Sequence, residues 1–390
     1  MIWKSALFVI KSRESRILSV RPFEPSLAHR GFNIHSERGS SSMANVYFHP
    51  IDSYQRSAEI RDAARNLLER LLQEEGISLE SMVPLKVHFG ERGNTTYIHP
   101  QNYDGVIDLL AEKGVSACFM ETNAVYSGSR MRDTDHQKLA ADHGFIRLPT
   151  IIADGRRGEA FEEIRIGKKH FQTCKIARGF VGHQQLLVLS HFKGHALAGF
   201  GGAIKQLAMG FAARGGKLAQ HIDAKPFIIP FVCKECRACA GQCPEKAITF
   251  GFLPKIHHSR CIGCAACIAV CPHTAIFVNP LKINLADGFR EKMTEYALAA
   301  QLGKKHLYLN FAFNITDQCD CIGKSMQPIA RDIGVFASTD PVAIDKACLD
   351  LLDQREGKTV FAGRNSLAYG ESIGLGSQSY RLVTTTQTAV

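Results

Sequence analysis

The stretch from Leu186 to Gly210, LLVLSHFKGHALAGFGGAIKQLAMG, decides how the rest of the chain is read. It opens on a short apolar run of the kind that buried parallel strands use. It then passes two histidines, two lysines and five glycines. A strand that ends in ionisable side chains and feeds a helix is the repeating unit of open α/β sheets, which bind ligands beyond the carboxyl ends of their strands. Neither standard nucleotide cradle is present. GFAARGGKL from Gly210 has one residue too many for G-x-x-x-x-G-K-[ST] and puts Leu218 where the hydroxyl belongs, and Ile204 stands at the third glycine position of G-x-G-x-x-G. What remains is a glycine-lined approach to Lys205, with His191, Lys193 and His195 before it and His221 after it. Imidazoles and ammonium groups beside close backbone suit a small anionic or carbonyl-bearing substrate with proton transfer in range. The competing reading is a glycine-rich helix start with solvated basic side chains.

The same grammar extends in both directions. SAEIRDAARNLLERLLQEEG keeps helical apolar spacing through Ile60, Ala64, Leu67, Leu68, Leu71 and Leu72, and Gly76 ends it. VPLKVHF, ACFMETN and TIIADG read as strands, and YDGVIDLLAEKG as a helix ending at Gly114. Further on, REKMTEYALAAQLG is helical, KHLYLNFAF and IGVFAST are strands, and DPVAIDKACLDLLDQ is a helix with Asp340 as N-cap and Pro341 in its first turn. The expectation is an α/β fold, a mostly parallel sheet with helices on both faces. Five strands are followed by ligand-type residues: HFGERGNTT from His88, ETNAVYSGSR from Glu121, DGRRGE from Asp154, HFKGH from His191 and NITDQCDC from Asn314. Glu121 and Asp154 are expected to shape the pocket. Cys319 and Cys321, in C-x-C spacing, would diverge in an extended chain but in a loop could both reach a metal or a redox partner. Cys118, Cys174 and Cys348 sit among apolar neighbours and read as buried hydrophobes.

Eight of the 13 cysteines fall in two tight clusters of a large chain, which favours metal ligation over disulfides. CKECRACAGQCP places Cys233, Cys236, Cys239 and Cys243 at C-x2-C-x2-C-x3-C-P, and CIGCAACIAVCP repeats the spacing with Cys261, Cys264, Cys267 and Cys271. This is the ferredoxin run, in which the fourth cysteine ligates the other cluster. The expected assignment is crossed: Cys233, Cys236, Cys239 and Cys271 on one [4Fe-4S] centre, with Cys261, Cys264, Cys267 and Cys243 on the other. A zinc module is the weaker alternative. The expected organisation is an extension over 1–42, read as a misplaced start or tail with an organelle transit peptide as runner-up. An α/β domain over 43–223 follows, then a bacterial-ferredoxin-like α+β insert over 224–280, and the α/β domain resumes over 281–390.

The formal charge of +10 does not require a nucleic-acid partner. Residues 1–42 hold seven Lys/Arg against three Asp/Glu, which leaves +6 on the rest. Two oxidised clusters, each about −2 with their thiolates, would lower this further. No apolar run approaches the roughly 20 residues of a membrane span, and no secretory leader is evident, so a cytoplasmic protein without membrane or nucleic-acid partners is expected.

Taken together, VHFGERGNTTYIHP, ETNAVYSGSR, IIADGRRGE, LSHFKGHALAGFGGAIKQLAMG, GKLAQH, both cysteine repeats, NITDQCDC, FASTDPVAID and SIGLGSQSY resemble the DUF362 proteins, described as uncharacterised iron–sulfur centre proteins. The resemblance runs from about 43 to 380 and favours Met43 as the start. It implies a cytoplasmic prokaryotic protein with a ferredoxin insert, and no established reaction. A fainter similarity is to the nickel-pincer lactate racemases. His195 lies ten residues before Lys205 and His221 sixteen after it, the order of that family's cofactor lysine and two histidines. That family lacks the ferredoxin, and IKQLAMG departs from its usual ending. The leading functional expectation is an oxidoreductase that passes electrons between a donor or acceptor protein and a ligand held by His191, Lys193, His195 and Lys205. A non-catalytic carrier or assembly subunit and a metal-dependent isomerase or racemase are the alternatives. No motif identifies a further metal or organic cofactor.

Overall fold

A computed structural model describes residues 43–125, 128–221, 225–243, 245–261, 266–277 and 286–385. The expected extension over 1–42 and Cys264 lie outside these residues. Eight strands form one sheet in the spatial order Tyr380–Thr384, Ala44–Pro50, Gly334–Ser338, Leu307–Ala312, Leu187–His191, Leu85–Lys86, Phe119–Glu121 and Thr150–Ile152. The last five run parallel, so their carboxyl ends share one edge. Gly334–Ser338 is antiparallel to both neighbours. Its chain arrives from Ala312 with no helix between, and a parallel return would need a crossover.

Alternation along the strands puts one apolar set on each face. Leu187, Leu189, Leu307, Leu309 and Phe311 join the helices Ser57–Glu74 and Asp104–Glu112 in one core. Val188, Tyr308, Ala312 and Phe336 join Ala203–Phe211, Ala286–Gln301 and Pro341–Glu356 in the other. The sheet is therefore covered on both faces, as the sequence pattern implies. Strands that follow the cysteine repeats lie between strands that precede them, so both flanks of that segment complete the same sheet.

The cysteine-rich segment has its own small strands. Phe227–Ile228 pairs with Ile276–Phe277, and Ile248–Thr249 with Lys255–Ile256, both antiparallel. Each half contributes one strand to each pair, at an offset of 28 residues that also relates the positive-φ residues Lys246 and Thr274. Ile228, Ile248, Ile256 and Ile276 pack with Cys239 and Cys267 as a separate apolar cluster.

One buried carboxylate fixes the helix that carries Lys205. Asp345 accepts from Ala203 N at 2.7 Å, Ile204 N at 2.9 Å and Asn310 Nδ2 at 2.8 Å, so it caps Ala203–Phe211 from a different helix. Its approach requires glycine at 202, because a Cβ there would overlap the carboxylate. Asp345→Ala leaves three donors without an acceptor and is expected to destabilise the protein by roughly 3 kcal/mol in chemical denaturation. A loss below about 0.5 kcal/mol would contradict the capping role.

Candidate functional site

The shared edge of the five parallel strands gathers the polar residues. His191 ends Leu187–His191, and the chain then forms a hairpin of Lys193–His195 with Gly199–Gly201. Opposite lies the loop after Leu307–Ala312. Asp320, fully buried, stands 3.0 Å from His191 Nδ1 and 2.7 Å from Lys193 Nζ. His191 Nε2 faces the Phe313 carbonyl at 2.7 Å, so both of its nitrogens are engaged. Burial works to raise the Asp320 pKa, but His191 and Lys193 outweigh it and hold the carboxyl far below its usual range.

On either side of Asp320 are Cys319 and Cys321, their sulfurs 2.9 Å apart. Lys205 Nζ donates to Cys319 Sγ at 3.3 Å. Burial presses the Lys205 pKa down, yet the two sulfurs carry it above the ordinary lysine value. Cys321 Sγ lies 3.4 Å from His88 Nε2, which is itself 2.9 Å from Arg130 Nη1. The hydrogen bond from Cys319, with Arg130 and His88, draws the Cys321 thiol well below its ordinary value despite burial, while Cys319 is driven up. The two sulfurs are therefore joined by one hydrogen bond, with Cys319 as donor and Cys321 as acceptor. His88, Ser190, Lys193, Gly201, Lys205 and Gln206 line a narrow cleft here, and the buried Ser190 Oγ has no hydrogen-bond partner.

His195 and His221 share the ring of Phe289, at centroid distances of 6.1 and 4.8 Å. His195 Nδ1 accepts from Leu197 N and Ala198 N, which leaves the proton of the neutral ring on Nε2. Burial and Lys205 lower both pKa values, His221 to about 4, so both rings are neutral near pH 7. Lys205, His191, Lys193, His195, Cys319 and Cys321 thus belong to one neighbourhood, with His221 at its wall.

A second polar layer lies beside it. Lys86 Nζ pairs with Glu121 Oε1 at 2.9 Å, both buried. Burial would raise the Glu121 pKa, but Lys86, His88 and Lys217 hold it down to about 2. Lys217 Nζ donates to Asn123 O at 2.7 Å, and burial lowers it to about 8. Asp154 accepts from Asn123 N and Nδ2 at 2.9 Å through Oδ1, while its Oδ2 is without a partner and burial raises the carboxyl to about 6. Glu121 and Asp154 therefore lie behind the cleft and not in its lining. His88, from the strand-end stretch HFGERGNTT, also belongs to the site, and Lys86, Arg130, Lys217 and Asp320 complete it. A lysine inside the apolar strand VPLKVHF was the available signal for Lys86, and the residue between two cysteines for Asp320. Arg130 closes the quoted stretch ETNAVYSGSR and Lys217 is the lysine of GKLAQH, but neither was assigned a role from its stretch alone.

In the cysteine-rich segment, Cys233, Cys236, Cys239 and Cys271 line one small cavity. Ala247 N donates to Cys243 Sγ and Ala275 N to Cys271 Sγ, each at 3.2 Å. Cys243, Cys261 and Cys267 lie in the same apolar cluster. Four thiols around one cavity, with backbone N–H groups on the sulfurs, fit the donor set of a [4Fe-4S] centre. Among the described residues, no three His, Cys, Asp or Glu side chains converge on a single-ion site. Met131 packs against this cluster, and its neighbour Arg130 reaches His88 at the cleft. Cys118, Cys174 and Cys348 are buried.

The fold defines an α/β protein on a mostly parallel sheet with a cysteine-rich repeat set into the chain. It belongs to the DUF362 family, a domain of unknown function, which matches residues 83–350. It is similar to a solved protein from Thermotoga maritima, with a TM-score of 0.41, 11% identity, and coverage of 76% of this chain and 59% of that one. It is also similar to the lactate racemase apoprotein from Thermoanaerobacterium thermosaccharolyticum, with a TM-score of 0.33, 12% identity and coverage of 69% and 50%. The chain spans less than two thirds of either. No curated protein matches it. No helix among the described residues is long and apolar enough to cross a membrane.

The raised Asp154 carboxyl makes a signed prediction. Its folded pKa of about 6 exceeds the ordinary aspartate value of 3.8, so its contribution favours folding at low pH and is lost as pH rises through that window. Relative to wild type, Asp154→Asn should gain stability between pH 4 and 7, by at most about 3 kcal/mol. Parallel stability–pH curves for the two proteins would contradict this.

Proposed function

We propose that the protein is an iron–sulfur oxidoreductase in which the two cysteine runs hold two [4Fe-4S] clusters and the Lys205 cleft binds a small anionic ligand. The cavity lined by Cys233, Cys236, Cys239 and Cys271 carries this reading, because it draws three cysteines from one run and the fourth from the other. The second set would be Cys261, Cys264, Cys267 and Cys243. Bound clusters would supply one-electron transfer.

The chain's own residues have separable roles. Lys205 and Lys193 supply positive charge at the cleft, and Asp320 holds Lys193 and His191 in place. Ser190 offers a hydroxyl to the ligand. His195, neutral with its proton on Nε2, is suited to donate a hydrogen bond to the ligand, and His221 supports the same wall through Phe289. Met131 and Arg130 join the cysteine cluster to the cleft. An electron donor or acceptor protein is part of the proposal. The segment 225–260 carries six Lys/Arg against Glu235 and Glu245 and exposes Phe231 and Phe252, which suits an acidic partner.

Anaerobic purification should yield about eight iron and eight sulfide per chain, with broad visible absorption bleached by dithionite. Zinc in place of iron would refute the cluster assignment. Lys205→Ala should retain that absorption while lowering ligand-dependent turnover at least about a hundredfold. Unchanged turnover would move the reaction away from this cleft and favour a simple carrier.

A further inference from the structure

The loop after Leu307–Ala312 closes into a tight turn, with Ile322 N donating to Cys319 O at 3.0 Å and Cys321 N to Cys319 Sγ at 3.4 Å. The turn converts a spacing that would separate the side chains into one that holds the sulfurs 2.9 Å apart. Little motion separates that arrangement from a bond, given the roughly 2.0 Å length of a disulfide. Two cations face the pair: Lys205 donates to Cys319, and Arg130 stands behind the His88 ring that meets Cys321. Such surroundings stabilise thiolates and favour attack on sulfur. Cys319 is 6% exposed and the Cys321 residue is only partly buried, so both sulfurs lie just behind the Lys205 cleft. Beside them the unpartnered Ser190 hydroxyl faces the same cleft as Lys205 and Lys193.

We infer that Cys319 and Cys321 form a reversible dithiol–disulfide couple that exchanges two electrons with a small anionic thiol or disulfide bound at the Lys205 cleft. The inference rests on the reading of that cleft as a ligand site and is independent of the metal content. In the oxidising direction the Cys321 thiolate attacks one sulfur of the ligand disulfide. The ligand S–S bond breaks, a mixed disulfide forms, and one ligand thiolate departs. That thiolate takes the proton of Cys319, whose sulfur then attacks Cys321 and expels the second ligand half as a thiolate. The dithiol loses two electrons, the ligand disulfide gains them, and the products are a protein disulfide, one thiol and one thiolate. Lys205 stabilises the Cys319 sulfur as its proton leaves, and loses its thiol partner once the disulfide has formed.

The tryptic peptide His306–Lys324 contains no other cysteine, which makes the couple directly readable. The full chain is equilibrated anaerobically in buffers of varied reduced and oxidised glutathione, quenched in acid, alkylated, digested and weighed. The peptide should pass reversibly between a doubly alkylated form and an unalkylated form lighter by two hydrogens. Cys319→Ser should trap glutathione on Cys321, and Lys205→Ala should slow oxidation by about tenfold through loss of attraction for the anion. A peptide that stays reduced at every ratio, a Cys319→Ser protein without the Cys321 adduct, or an unchanged rate in Lys205→Ala would each overturn the proposal. The first measurement uses the unaltered protein, so it stands even if a variant fails to fold. Absence of cluster absorption with a switching peptide would count against the iron–sulfur reading alone. A silent peptide in a protein whose turnover still needs Lys205 would count against the couple alone.

Discussion

A single buried carboxylate, Asp320, organises the cleft. A carboxylate removed from water is costly unless cations and hydrogen bonds compensate it. His191 and Lys193 do so from the end of the Leu187–His191 strand and the hairpin after it. The same hairpin is locked to the same loop by Gly194 N donating to Thr316 O at 2.8 Å, at a position where any Cβ would meet the Asp317 carbonyl. The strand, the hairpin and the returning loop are thus fixed together. Because Cys319 and Cys321 flank Asp320, fixing the carboxylate also fixes both sulfurs against Lys205 and His88. His191 contributes to this anchoring through both ring nitrogens.

The parts of the fold that could be read from sequence were those with a local cause. The helix over 57–74 follows from its apolar spacing, and Asp340 with Pro341 starts the helix over 341–356, where Asp340 accepts from Val342 N and Ala343 N. The five apolar strands ending in ligand-type residues became neighbours because parallel strands with covered faces must be apolar and short. The edge strand Tyr380–Thr384 and its neighbour Ala44–Pro50 gave no comparable signal, since the former is only half buried and mixes polar with apolar residues. The hairpin of Phe161–Arg165 with Thr173–Ala177 was equally hidden, its outer positions being charged or exposed. At the site, the five strand ends exposed His191, Glu121 and Asp154. The pairing of Lys86 with Glu121 depends on strand register, which no single stretch encodes.

The attachment of the cysteine-rich segment is the step that joins fold to function. The chain leaves the α/β body after His221 and is again described from the helix Ala286–Gln301, and these two points meet where the His221 and Phe289 rings stack at 4.8 Å. The segment is therefore rooted in the wall of the Lys205 cleft. A second junction is independent of the first. Met131 lies in the apolar cluster of the cysteine segment while its carbonyl accepts from the buried Arg214, and the adjacent Arg130 contacts His88 and Glu91. Two neighbouring residues thereby span from the cysteines to the group beside Cys321. A segment appended merely for carriage would need neither root, since a single exposed linker would hold it. Two roots that both end on cleft residues instead make the separation between cysteine cluster and cleft a fixed quantity of the fold, which is what electron exchange between them would require.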